Sequence, residues 1–177
     1  MDRSALAAFA APYYEKKDGM HNLRHIEQVV KAAERIVRAG KYAVDWESLL
    51  ASAYFHGMVT HHEQDIRDWL LSQAYPQAQI TKILASAKES LAESKPETIE
   101  GTILHDAHLL EGGKAYMITK CLITGSLRGQ TLPQTIAYIE ENIFDKRTCF
   151  LPETIPLFEE AQQYAKDFLH ELKMGLL

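Results

Sequence analysis

Ala53-Tyr54-Phe55-His56-Gly57-Met58-Val59-Thr60-His61-His62-Glu63 runs from small and aromatic residues straight into three histidines and a carboxylate. Its apolar half, with Trp46, Leu49 and Leu50 before it, repeats at intervals of three and four, the spacing that gathers side chains on one face of an α-helix. The same intervals recur along the whole chain and strand-like alternation is nearly absent, so the sequence predicts an all-α fold, a single-domain helical bundle. Two other stretches resemble the first in chemistry, His21-Asn22-Leu23-Arg24-His25 and His105-Asp106-Ala107-His108. Together the three hold seven of the eight histidines. Imidazole with carboxylate is the ligand set that first-row transition metals favour, so the three helix ends are expected to converge on one metal site.

The 177 residues fit one domain, 1–177, large enough to bury a hydrophobic core without staples. A balance of 19 Lys plus Arg against 24 Asp plus Glu, net −5, excludes the broad basic footprint of a binder of nucleic-acid polymers. It leaves room for a small anion held by local cations. Cys121 and Cys149 have neither CxxC spacing nor the density of a disulfide scaffold, which suits a reducing cytoplasm. Ala5 to Ala11 is too short and too poorly flanked for an export signal or a membrane span.

Caps and breakers divide the chain into seven to nine helices. A short helix spans Ser4 to Ala10, and Asn22 caps one from Leu23 to Ala39 that Gly40 ends. Asp45 caps the next, with His56 on its inner face and Gly57 at a left-handed helix end. Thr60 to Glu63 has capping-box spacing for a fourth helix, as has Thr131 to Gln134 for a later one. The helix after Pro96 carries Ile99, Ile103, Asp106 and Leu110 on one stripe, which places a carboxylate in an apolar row. Such a group is costly to bury unless it is paired or bound to metal. The last helix is expected to bury Leu157, Ala161, Tyr164, Phe168 and Leu172.

The three histidine motifs resemble those of the HD-domain superfamily of metal-dependent phosphohydrolases. The matching residues are His21-Asn22-Leu23-Arg24-His25-Ile26 with Val29, then Tyr54-Phe55-His56, then Leu104-His105-Asp106-Ala107 with Leu110. Their order and rough separations match over about residues 12–115. The resemblance implies that His25, His56 and Asp106 ligate a divalent metal (Mn, Fe, Zn, Ni or Co, or Mg) and that His21 is the proton donor. It implies hydrolysis of a small phosphate ester or nucleotide by metal-activated water. The chain departs from the family where Gly57 stands for the aspartate of the His-Asp pair, removing a carboxylate that would hold or bridge metal ions. This opens the alternative of a ligand-binding or regulatory protein that has lost turnover. Di-iron oxygenase chemistry needs more ligands than the motifs offer.

Other residues are read beside this frame. His61, His62 and Glu63 are either substitute ligands or the exposed first turn of a helix, Glu63 serving its capping box. His105 and His108 share a helix face, and Asp106 points about 100° away from His105; with Asp106 turned to the metal, both histidines lie behind the ligands or in solvent. Lys88, Lys120 and Arg128 are the candidate phosphate contacts, Arg128 favoured by Gly125 and Gly129 beside it. Gly112-Gly113-Lys114 lacks the remainder of a P-loop, and the His21 to His25 spacing lacks the glutamate of a zincin. The partner expected is a small phosphorylated molecule, with no membrane; a homodimer is left open.

Overall fold

The computed structural model describes residues 2–91 and 93–176, and all regular structure among them is helical. In order these are α1 (Arg3–Tyr14), α2 (Leu23–Gly40), α3 (Trp46–Phe55), α4 (Val59–Ser72), α5 (Gln77–Glu89), α6 (Ile99–Leu110), α7 (Lys114–Leu127), α8 (Leu132–Asn142) and α9 (Ile155–Gly175). The chain is a single-domain helical bundle. None of these helices is long and apolar enough to cross a membrane.

The bundle is organised around α3, whose residues Ser48 to Phe55 are all buried. A helix that is apolar all round belongs in the interior, and α1, α2, α5 and α6 pack against it. Ile26, Val29, Val30, Ala33 and Ile36 form the buried stripe of α2 and meet Ile103, Leu104 and Ala107 of α6 in this main core. A smaller core joins α7, α8 and α9 through Ile118, Ile136, Ile139, Ala165 and Leu169.

Local chemistry starts the helices where the sequence places it. Asn22 accepts from Arg24 N, Asp45 from Ser48 N, and Thr131 with Gln134 closes a reciprocal capping box. Gly112 and Gly113 take positive φ after α6. Several expectations are corrected. Pro12 lies within α1, and Gly40 within α2, which closes on left-handed Lys41. Gly57 does not have positive φ, so backbone conformation is not why it is glycine. Thr60 caps nothing: Met58 stands before α4 without a side-chain bond, a kink at His62 (φ −132°, ψ 31°) distorts the first turn, and Glu63 pairs with Arg67 and Lys88. In α9 the buried residues are Phe158, Ala161, Ala165 and Leu169, while Leu157, Tyr164 and Phe168 are exposed. The small alanines let α9 approach α7, so bulk was a misleading guide to its inner face.

Candidate metal centre

His25 opens the first turn of α2, His56 follows the last turn of α3, and His108 ends the last full turn of α6. The contacts of α2 and α3 with α6 bring these three ends together. One ligand nitrogen from each lies within 4.8 Å of the others, and His25 Nε2 is 3.1 Å from His56 Nε2.

The remaining ring nitrogens fix the tautomers. His56 Nδ1 donates to the Ala53 carbonyl at 2.7 Å and His108 Nδ1 to the Ser90 carbonyl at 3.3 Å. A carbonyl only accepts, so both rings carry their proton on Nδ1 and leave Nε2 with a bare lone pair. His25 Nδ1 is 2.5 Å from Glu111 Oε2, the carboxylate–imidazole pairing that orients metal-binding histidines. Burial pushes the His25 imidazole down to about 2 and His56 down to about 3, and holds His108 well below its ordinary value. All three are therefore neutral at physiological pH. With the His25 proton on Nδ1 toward Glu111, the Nε2 lone pairs of His25 and His56 face each other at 3.1 Å, an arrangement that a cation between them would stabilise. Two Zn–N bonds of ordinary length at a tetrahedral angle place their nitrogens about 3.3 Å apart, so the pair suits a shared transition-metal ion. The site can hold one.

Asp106 is not part of this cluster, against the expectation that it supplies the third ligand. Its carboxylate is fully buried and accepts from Phe150 N at 3.0 Å, Leu151 N at 2.9 Å, Thr154 Oγ1 at 2.5 Å and His105 Nδ1 at 3.0 Å. It anchors the segment before α9 to α6. His105 assists it against the Phe150 ring. The α6 side chain that joins the cluster is His108, on the opposite side of the helix from Asp106.

The cluster opens into a cavity of 440 Å³ between the main core and α7 to α9. His21 lines it, with Nδ1 held by Asp18 Oδ1 at 2.7 Å; burial lowers its proton affinity and the Asp18 bond opposes that. Lys120 and Arg128 also line it, Lys120 bonded to Glu111 and Arg128 3.9 Å from Asp18. Lys88 does not; it is on the surface, paired with Glu63. His61 reaches the cavity edge but not the triad, and His62 pairs with Asp65 on the outside. Neither these nor Glu63 substitutes for a ligand. Gly125 serves packing, since a Cβ there would stand 2.2 Å from Thr135 Oγ1 of α8.

Sequence reasoning missed Glu111, although it lies three residues after His108 and so on the same helical face. It also missed Tyr14, Lys17, Asp18 and Thr124. The last had a readable signal, because Lys120, Thr124 and Arg128 recur every four residues along α7. Thr124 Oγ1 is buried without a hydrogen-bond partner in the cavity lining, as a ligand contact would be.

No family model matches the chain, and no curated protein matches it by sequence. Solved structures do. The chain is similar in fold to Bacillus subtilis YpgQ. With that protein in complex with ADP the TM-score is 0.76 at 15% identity, covering 98% of this chain and 97% of that one. A Lactobacillus plantarum protein gives 0.79 at 17% identity, with 98% and 96% covered. The Listeria innocua protein Lin1889 gives 0.72 at 20% identity, with 99% and 98% covered. At such identities the likeness establishes the architecture over the full length of both chains.

Proposed function

We propose that this chain is a metal-dependent phosphohydrolase of the HD type acting on a small phosphate ester or nucleotide. The observation that carries the reading is the meeting of His25, His56 and His108 at the floor of a cation-lined cavity. The HD resemblance keeps His25 and His56 and takes its third ligand from His108 instead of Asp106. Three neutral imidazoles favour Zn, Co, Ni or Fe, whereas Mg asks for oxygen ligands. A metal held there supplies positive charge and an activated water at the phosphoryl group. Glu111 fixes the His25 ring, Lys120 and Arg128 hold phosphoryl oxygens, and His21, steadied by Asp18, donates a proton to the leaving oxygen. The ADP bound to the Bacillus subtilis protein supports a phosphorylated ligand.

The test is metal content by mass spectrometry on protein purified without chelator, together with turnover on a panel of phosphate esters and nucleotides. About one transition-metal ion per chain is expected, with hydrolysis abolished in His56→Ala. Hydrolysis indifferent to that substitution removes the proposal.

Glycine at position 57 favours the second reading, a binding or regulatory protein that holds metal and phosphate without turnover. Writing the family aspartate back does not decide between the two. A Cβ on Gly57 would stand 2.6 Å from Tyr14 Oη, itself buried and bonded to Gly57 N and the Tyr54 carbonyl, both at 3.1 Å. Gly57→Asp is expected to lower stability by about 1–3 kcal/mol through overpacking and to gain no activity, read by thermal melting and the same panel. The deciding result is turnover by the unmodified protein.

A further inference from the structure

The space that a side chain at position 57 would fill is taken by two groups, the Tyr14 hydroxyl and the Lys17 ammonium, the latter 2.8 Å from the ideal Cβ position. Lys17 Nζ donates to the Gly57 carbonyl and lies over the Tyr14 ring, 4.7 Å from its centre. One of its three N–H groups is thereby used and two remain. Four cations line the cavity: Lys17, Lys120, Arg128 and Arg147. Three have a carboxylate within 4 Å, namely Glu111 for Lys120, Asp18 for Arg128 and Glu93 for Arg147. Among the described residues Lys17 has no such partner.

Resting on the phosphohydrolase reading, we infer that Lys17 is a further substrate-positioning cation of this centre beside Lys120 and Arg128, binding the phosphoryl oxygens directly, and that the centre holds one metal ion only. Lys17 is an exposed residue whose ammonium is held by a carbonyl and an aromatic ring, with Asp18 acting on it only from beyond ion-pair distance, so an anion entering the cavity gains a charge-assisted hydrogen bond from it without first breaking a salt bridge. Lys17 lies beside the triad by geometry: it is bonded to the carbonyl of Gly57, the residue after His56, and lines the same cavity as His25, His56 and His108. A second ion has no donors of its own. Glu111, the carboxylate nearest the triad, is already divided between His25 and Lys120, and the triad is the sole group of described residues arranged for a metal. Lys17 thus supplies, with an ammonium, positive charge at the place where a carboxylate at 57 would have brought a metal.

The experiment compares the wild type, Lys17→Met and Lys17→Arg, each loaded with Zn²⁺ or Co²⁺. The readouts are metal per chain by mass spectrometry, inorganic phosphate binding by calorimetry, and KM against kcat on the best ester of the panel. The expectation is one ion per chain in all three, with phosphate affinity falling at least about ten-fold in Lys17→Met, one charge-assisted bond's worth, and KM rising with it. Lys17→Arg should recover most of the loss. Phosphate binding by Lys17→Met within two-fold of wild type overturns the role of Lys17. Two ions in the wild type overturn the single-metal assignment. Wild-type protein that binds phosphate and metal but turns over no ester overturns the hydrolytic reading alone and leaves Lys17 supported as a binding cation.

Discussion

Replacing His108 with alanine is expected to abolish metal retention and phosphoester hydrolysis together. The loss of affinity should exceed about a hundred-fold, because partners standing behind a ligand are by themselves worth about 10- to 100-fold. Two imidazoles, His25 and His56, remain after the change and do not make a three-ligand site of the kind that holds catalytic zinc. The fold should survive: His108 contributes one long bond to the Ser90 carbonyl at 3.3 Å and is only partly buried, and its neighbours in α6 pack without it. Equilibrium dialysis against Zn²⁺ and the visible spectrum of the Co²⁺ form read the site directly, and the thermal melt of the metal-free protein reads the scaffold. Full metal content in His108→Ala would show that the triad is not the binding site.

How far the site was readable depended on whether a residue's role is set by its own helix or by its neighbours. Asn22, Asp45 and Thr131 cap helices through bonds to residues two or three positions on, and such local chemistry is visible in sequence. His25 and His56 are legible because each continues an apolar stripe, and a stripe says which way a side chain points. Position 106 is ambiguous in sequence for a physical reason. Asp106 and His108 stand two residues apart, on roughly opposite sides of α6, and both are chemically fit for a metal. The choice is made by the segment before α9, which offers two backbone N–H groups and a threonine hydroxyl to a carboxylate and nothing to an imidazole. That partner is more than 40 residues away in the chain. Gly57 is ambiguous in the same way: a glycine at a helix end suggests a left-handed cap, while here it yields to Tyr14 from another helix. Lys17 is an isolated lysine in a loop with no pattern to read, and its place is set by the Gly57 carbonyl and the Tyr14 ring of other segments.

Asp106→Ala separates the structural role of this aspartate from a metal-binding one. The carboxylate satisfies Phe150 N, Leu151 N, Thr154 Oγ1 and His105 Nδ1 in a fully buried position. Alanine leaves these groups without their acceptor, at about 1–3 kcal/mol for each donor that finds no water. Allowing for water entering the space left, the net loss should be about 3–5 kcal/mol. For a chain of this length that is a fall in melting temperature of about 2–4 °C per kcal/mol. Asp106→Asn keeps one oxygen acceptor but turns an NH2 group toward backbone donors, so it should fall between the wild type and alanine. Because Asp106 sits beside the last turn of α6 and not among the ligand nitrogens, the folded fraction of either variant at low temperature should still bind metal in proportion to its amount. Loss of metal with an unchanged melt of the metal-free protein would return Asp106 to the coordination sphere and remove His108 from it. Loss of stability with metal retained fixes Asp106 as the pin that holds α9, and with it the wall formed by α7, against the histidine floor of the cavity.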